Sequence, residues 1–162
     1  SEPFFRKMYG ADQSAVEAHL VSVPWLPRRG GRPMRVTRVN SVDRRLRAIS
    51  DALEALSPGD TRCAVLHAGA QAWRNIAGTT DLSPHSFGIA IDLEPACSDY
   101  WRWEPNAPHP WTRRPLRFSD ALVEVFERHG FIWGAKWLHF DTMHFEYRPE
   151  LLRPIADLGS LP

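Results

Sequence analysis

Long apolar runs are missing from this chain, and so is any excess of one charge. No stretch approaches the roughly 20 apolar residues that a membrane-spanning helix needs. Twenty Lys and Arg stand against 19 Asp and Glu, a net charge of +1, so no basic field is present to draw nucleic acid. Internal repeats and low-complexity tracts are absent. There is no initiator methionine at Ser1 and no apolar signal region, which fits a processed mature chain or a trimmed one. Cysteine is scarce, with only Cys63 and Cys97. The apolar runs beside them look like partners in a hairpin centred near Thr79-Thr80, a register that sets positions 63 and 97 opposite each other. A disulfide is therefore favoured over two free thiols, and with it an oxidising compartment.

What remains is the composition of an ordinary globular chain, 43% apolar and 24% charged, long enough for one domain with a real core. The first 38 residues, broken by Pro24, Pro27, Pro33 and Arg28-Arg29-Gly30-Gly31-Arg32, read as an irregular arm with one short helix near Ser14–Leu20. The arginine cluster reads as a solvated loop. Val42, Leu46, Ile49, Leu53 and Leu56 recur at helical spacing, with Asn40 or Ser41 placed to cap the start. A second helix is expected over 119–129, with Ser119 as cap and Gly130 as stop. Strands are expected over 63–73, 87–93, 131–133 and 144–147, and Tyr100–Pro115 as an ordered loop dense in tryptophan and proline. Helices and antiparallel hairpins in mixed order predict an α+β fold.

Two short stretches carry the chemistry: Ser83-Pro84-His85-Ser86-Phe87-Gly88-Ile89-Ala90-Ile91-Asp92 and Asp141-Thr142-Met143-His144-Phe145-Glu146. His85, Asp92 and His144 are two imidazoles and a carboxylate able to hold one divalent metal, and three protein ligands leave a zinc ion an open position. Seven residues of strand would separate His85 from Asp92 by about 23 Å, so the chain must bend, and Ser86-Phe87-Gly88 is where it can. Asp141 and His144, three apart, meet only if Asp141-Thr142-Met143 is a turn leading into the last strand.

The two stretches, with Trp137-Leu138-His139-Phe140 running into the second, resemble the M15 family of zinc metallopeptidases, over roughly Val39–Leu152. The resemblance implies a hedgehog/D,D-peptidase fold, a small antiparallel sheet flanked by helices. It implies a single zinc peptidase domain over 1–162 with its catalytic core at 39–152, and Zn2+ on His85, Asp92 and His144. It also implies Asp141 as the catalytic acid/base and Arg74, in Trp73-Arg74, facing the reacting carbonyl. Members of the dipeptidase branch carry glutamate at this position, so Asp141 makes the chain look more like the L-alanyl-D-glutamate branch. The implied partner is peptidoglycan stem peptide, the implied setting exported (periplasmic or extracellular), and the chain is expected to be a monomer. Burial against Phe140 and Trp137 should raise the Asp141 pKa toward that of a useful acid/base. Trp133-Gly134-Ala135 departs mildly from the Gly-Gly common in relatives.

Ser83, His139 and Trp137 are candidate substrate contacts, with packing an equal prospect for His139. Glu146, on the same strand face as His144, is a possible partner of that ligand. His67 reads as structural, and Trp101, Trp103 and Trp111 as packing before a cleft wall. Arg113 and Arg114 are candidates to grip a terminal carboxylate. A non-catalytic zinc module and a non-haem iron oxygenase are the competing classes; the oxygenase needs a larger strand barrel than this length supplies.

Overall fold

The structure is a computed structural model that describes residues 1–103, 106, 108–110 and 117–152. Trp111, Arg113 and Arg114 lie outside the described residues, as does part of the loop expected over Tyr100–Pro115. The elements are α1 (Glu2–Tyr9), α2 (Gln13–Glu17), β1 (Leu20–Val23), β2 (Met34–Thr37), α3 (Val42–Glu54), α4 (Pro58–Thr61), β3 (His67–Gly69), β4 (Ala90–Leu93), α5 (Asp120–Arg128), β5 (Phe131–Trp133) and β6 (His144–Tyr147). The architecture is α+β, as expected. β3, β4, β6 and β5 lie side by side in one antiparallel sheet, and β1 and β2 form a separate hairpin. No helix among the described residues is long and apolar enough to cross a membrane.

The first 38 residues are not an irregular arm. They hold two helices and a paired hairpin in which Leu20 faces Thr37 and Val23 faces Met34. Pattern reading misses α1 because it is only eight residues long, yet Phe5 and Tyr9 are four apart and both buried. α2 ends at Glu17, earlier than expected, because Leu20 is already paired in the hairpin. Nor is the arginine cluster simply solvated. Arg28 pairs with Glu54, and Arg29 Nη2 donates to the carbonyls of Glu54 (3.1 Å) and Leu56 (2.6 Å). A cation there satisfies acceptors that the end of α3 leaves unpaired.

α3 buries Val42, Leu46, Ile49 and Leu53, each contributing about 1.5–3 kcal/mol. Its start lacks the expected side-chain cap: Asn40 and Ser41 instead take left-handed backbone angles, and Asn40 donates to the Tyr9 hydroxyl (3.4 Å). α5 has its cap, Ser119 Oγ accepting from Leu122 N–H at 3.1 Å, and ends at Gly130 in a left-handed turn (φ 89°). Phe126 of α5 stacks on Phe145 of β6 at 4.0 Å between ring centres, and Trp25 adjoins Phe126. The sheet is thereby fixed to the helical layer behind it, leaving the face of Asp92 and His144 forward.

The strand expected over 63–73 shortens to His67–Gly69, and the one over 87–93 begins only at Ala90. The hairpin register holds: His67 pairs with Leu93, and Cys63 and Cys97 are joined with Cα atoms 5.8 Å apart.

Candidate metal centre

Each candidate ligand reaches the centre for a local reason. Ser83 Oγ accepts from His85 N–H (3.3 Å) and Pro84 follows, so a 3-10 turn runs over Pro84–Phe87. Phe87 drives its ring into the core beside Phe5 and Trp73. Gly88 then turns the chain with φ 68°, and its carbonyl accepts from Thr37 N–H of β2 (3.0 Å). A Cβ here would lie 2.7 Å from Leu20 Cδ2 and 2.9 Å from Thr37 N, so glycine is required by conformation and by space. This is the expected bend.

Beyond it, Asp92 of β4 stands directly opposite His144 of β6. Residues opposite one another on antiparallel strands project from the same face. Glu146, two further on, shares that face and stands opposite Ala90, whose small side chain leaves it room. Asp141-Thr142-Met143 is the expected turn, with His144 N–H donating to the Asp141 carbonyl at 3.3 Å. Asp141 N–H donates to the Gly134 carbonyl (3.1 Å), and a Cβ on Gly134 would lie 2.4 Å from the Asp141 carbonyl oxygen. A glycine is thus needed at 134, whereas the buried Ala135 fits without penalty.

The geometry suits a cation. His85 Nε2 lies 3.1 Å from Asp92 Oδ1 and 3.2 Å from His144 Nδ1, and His144 Nδ1 lies 2.9 Å from Asp92 Oδ1. Ligand atoms on a tetrahedral zinc, with bonds near 2.0–2.1 Å, sit about 3.3 Å apart. The outer nitrogens are also engaged: His85 Nδ1 faces the Ala70 carbonyl, and His144 Nε2 lies 3.5 Å from Glu146 Oε2. A proton held on each outer nitrogen leaves the inner lone pair for a metal. The donor set fits a divalent cation, and His85, Asp92 and His144 form a cluster able to hold one.

Electrostatics point the same way. Burial pushes the Asp92 carboxyl up, but hydrogen bonds from His144 and His85 outweigh it and hold the group well below the usual carboxylate range. Burial works against a charged His144, yet Asp92 and Glu146 raise it to about 10. Glu146 is itself buried, and its carboxyl is lowered because His144 and Arg148 overcome the burial, with Arg148 Nη1 3.0 Å away. Asp141 differs. Burial, helped by Asp92, raises it to about 6, the direction the sequence predicts. Its Oδ1 is buried and has no hydrogen-bond partner among the described residues.

A cavity of about 710 Å3 opens over these groups, lined by Arg74, Ser83, Trp137, His139 and Asp141 among others. Arg74 has Nη2 3.9 Å from Asp92 Oδ2, and its backbone is clamped by buried Ser86, whose Oγ accepts from Arg74 N–H (3.0 Å). The sequence marks Ser86 only as part of the bend and gives no sign of this contact with Arg74. Trp137 adjoins the His144 ring (5.3 Å between centres), and His139 stacks on Trp101 at 4.2 Å. Trp101 and Trp103 line the cavity, against the packing role expected of them. Arg102, which the sequence reading passed over, lines it too. His67 stands apart, with Nε2 2.9 Å from the Arg32 carbonyl.

Among known proteins, a family model described as D-alanyl-D-alanine carboxypeptidase matches residues 77–147. No curated protein and no solved structure matches the chain. The matched stretch contains the 3-10 turn of His85, the strand of Asp92 and the turn from Asp141 to His144. That match and the motifs it contains support a peptidase of the M15 type.

Proposed function

We propose that this peptidase is zinc-dependent and hydrolyses peptidoglycan stem peptides next to a D-amino acid, acting outside the cytoplasm through a single domain of hedgehog/D,D-peptidase fold. The observation that carries the reading is the convergence of His85, Asp92 and His144 within 3.2 Å beneath a cavity that Asp141 also lines. His85 Nε2, Asp92 Oδ1 and His144 Nδ1 would hold the ion, which when bound polarises a carbonyl and eases deprotonation of water. Asp141 takes a proton from the attacking water and returns it to the leaving amine. A carboxyl raised to about 6 is better matched to both transfers than an ordinary one near 4. Arg74, half exposed in the same cavity, offers its guanidinium to the oxygen that gains charge.

Cleavage between L-alanine and D-glutamate is the reading we favour, from aspartate at 141. Removal of terminal D-alanine is its close competitor, supported by the description of the matching family. A non-catalytic zinc module is disfavoured because Asp141 and Arg74 both line the cavity. Digestion of purified peptidoglycan with mass analysis of the fragments tests the proposal. A new N-terminal D-glutamate marks the endopeptidase and free D-alanine the carboxypeptidase. No release of either, from protein with one zinc per chain, would overturn it. Asp141→Ala should keep the metal and lose hydrolysis.

A further inference from the structure

We infer that Arg102 reads a free carboxylate on the residue that supplies the leaving amine. The inference rests on the proposed peptidase reading and deepens it. Three arginines line the cavity. Arg148 is engaged by Glu146 (3.0 Å) and Glu150 (2.5 Å), and Arg74 faces Asp92. Arg102 has no carboxylate partner among the described residues; its side chain is exposed, and Nη2 donates to the Ala77 carbonyl at 2.6 Å.

The guanidinium is held in place rather than waving in solvent. It lies over the Trp101 ring, 5.0 Å from its centre, and Trp101 in turn stacks on His139. Trp101 N–H donates to the Phe140 carbonyl (3.1 Å), and Tyr100 pairs with Asp141 in an antiparallel bridge. Arg102 therefore stands on the same wall as Asp141, two residues beyond its backbone partner. Gly78 backs it from the other side, where a Cβ would lie 2.8 Å from Arg102 Nη2. A cation fixed by stacking and by one backbone acceptor is suited to a planar anion.

The two candidate bonds share one chemical feature. A terminal D-alanine and a γ-linked D-glutamate each carry a free α-carboxylate one carbon from the leaving nitrogen. Arg102 would bind that group in either, which makes it a specificity determinant and leaves the bond-breaking to others.

The test pairs peptides that differ only in an α-carboxylate or α-carboxamide on the leaving residue, one pair ending in D-alanine and one carrying γ-linked D-glutamate. The pair that is cleaved identifies the source of the carboxylate. Wild-type protein should favour the acid by about tenfold or more in kcat/KM, mostly through KM. Arg102→Gln should bring the ratio near one, Arg102→Lys should keep part of it, and Gly78→Ala, which displaces the guanidinium, should lower it. An acid-to-amide ratio unchanged in Arg102→Gln overturns the inference, as does an equal loss on acid and amide. If no peptide is cut, the peptidase reading fails by itself. Binding of N-acetyl-D-alanine and N-acetyl-D-glutamate against their α-amides to metal-free protein, read by tryptophan fluorescence, still decides the role of Arg102.

Discussion

Asp141 is the residue whose environment most opposes its ordinary state. Its folded pKa, raised to about 6, exceeds the roughly 3.9 of an unfolded aspartate. A raised acid favours folding while protonated, so its contribution is fully present below about pH 4 and is lost as pH rises through 6. Asp141→Asn should therefore stabilise the metal-free protein at pH 7 by about 3 kcal/mol at most and leave it nearly unchanged near pH 4, by urea denaturation at the two pH values. Activity should fall about 10²–10⁴-fold in the same variant. A bound cation only favours the carboxylate, so the acid limb of kcat/KM should lie no higher than about 6. Glu146 presents the opposite case, a buried carboxylate kept charged by His144 and Arg148. Glu146→Ala should weaken zinc binding about 10–100-fold in a chelator competition, and Glu146→Gln, which still offers His144 an acceptor, should recover part of it.

At the scale of elements, the disulfide is the clearest restraint. Cys63 and Cys97 close a loop of 34 residues that spans β3, the His85 turn and β4. Replacing both by alanine should cost about 3–4 kcal/mol, read as a lowered thermal midpoint. This pairing was legible because one hairpin register serves both the apolar runs and the cysteines. The bend at Gly88 and the turn before His144 were legible for a related reason: ligands of one metal must meet, and strand geometry forbids it without them. The short α1 was not legible, since two buried rings four apart make too brief a pattern. Nor was the start of α3, where Asn40 and Ser41 take left-handed backbone angles and no side-chain cap forms. The roles of Ser86 and Arg102 depend on contacts between segments far apart in sequence, which no local periodicity reports.

For the whole molecule, the three proposed ligands come from a turn and two strands that meet only in the folded chain. An ion bound there stabilises the fold by mass action, about 2.7 kcal/mol when free metal is 100 times its Kd. At about 2–4 °C per kcal/mol for a chain this long, zinc should raise the thermal midpoint by roughly 5–10 °C. His144→Ala should abolish that rise, and elemental analysis should find less than one zinc per chain.

The hydrogen bond from Thr37 N–H to the Gly88 carbonyl reaches past the matched stretch, into a hairpin that begins at Leu20. Leu20 and Thr37 press on Gly88 from that side, and Phe5 of α1 packs on Phe87. The portable unit is consequently larger than the motif. Grafted alone into another protein, residues 77–147 would bring every proposed ligand but lose the outer brace that shapes the His85 turn. The graft would have to refashion that brace from its new host.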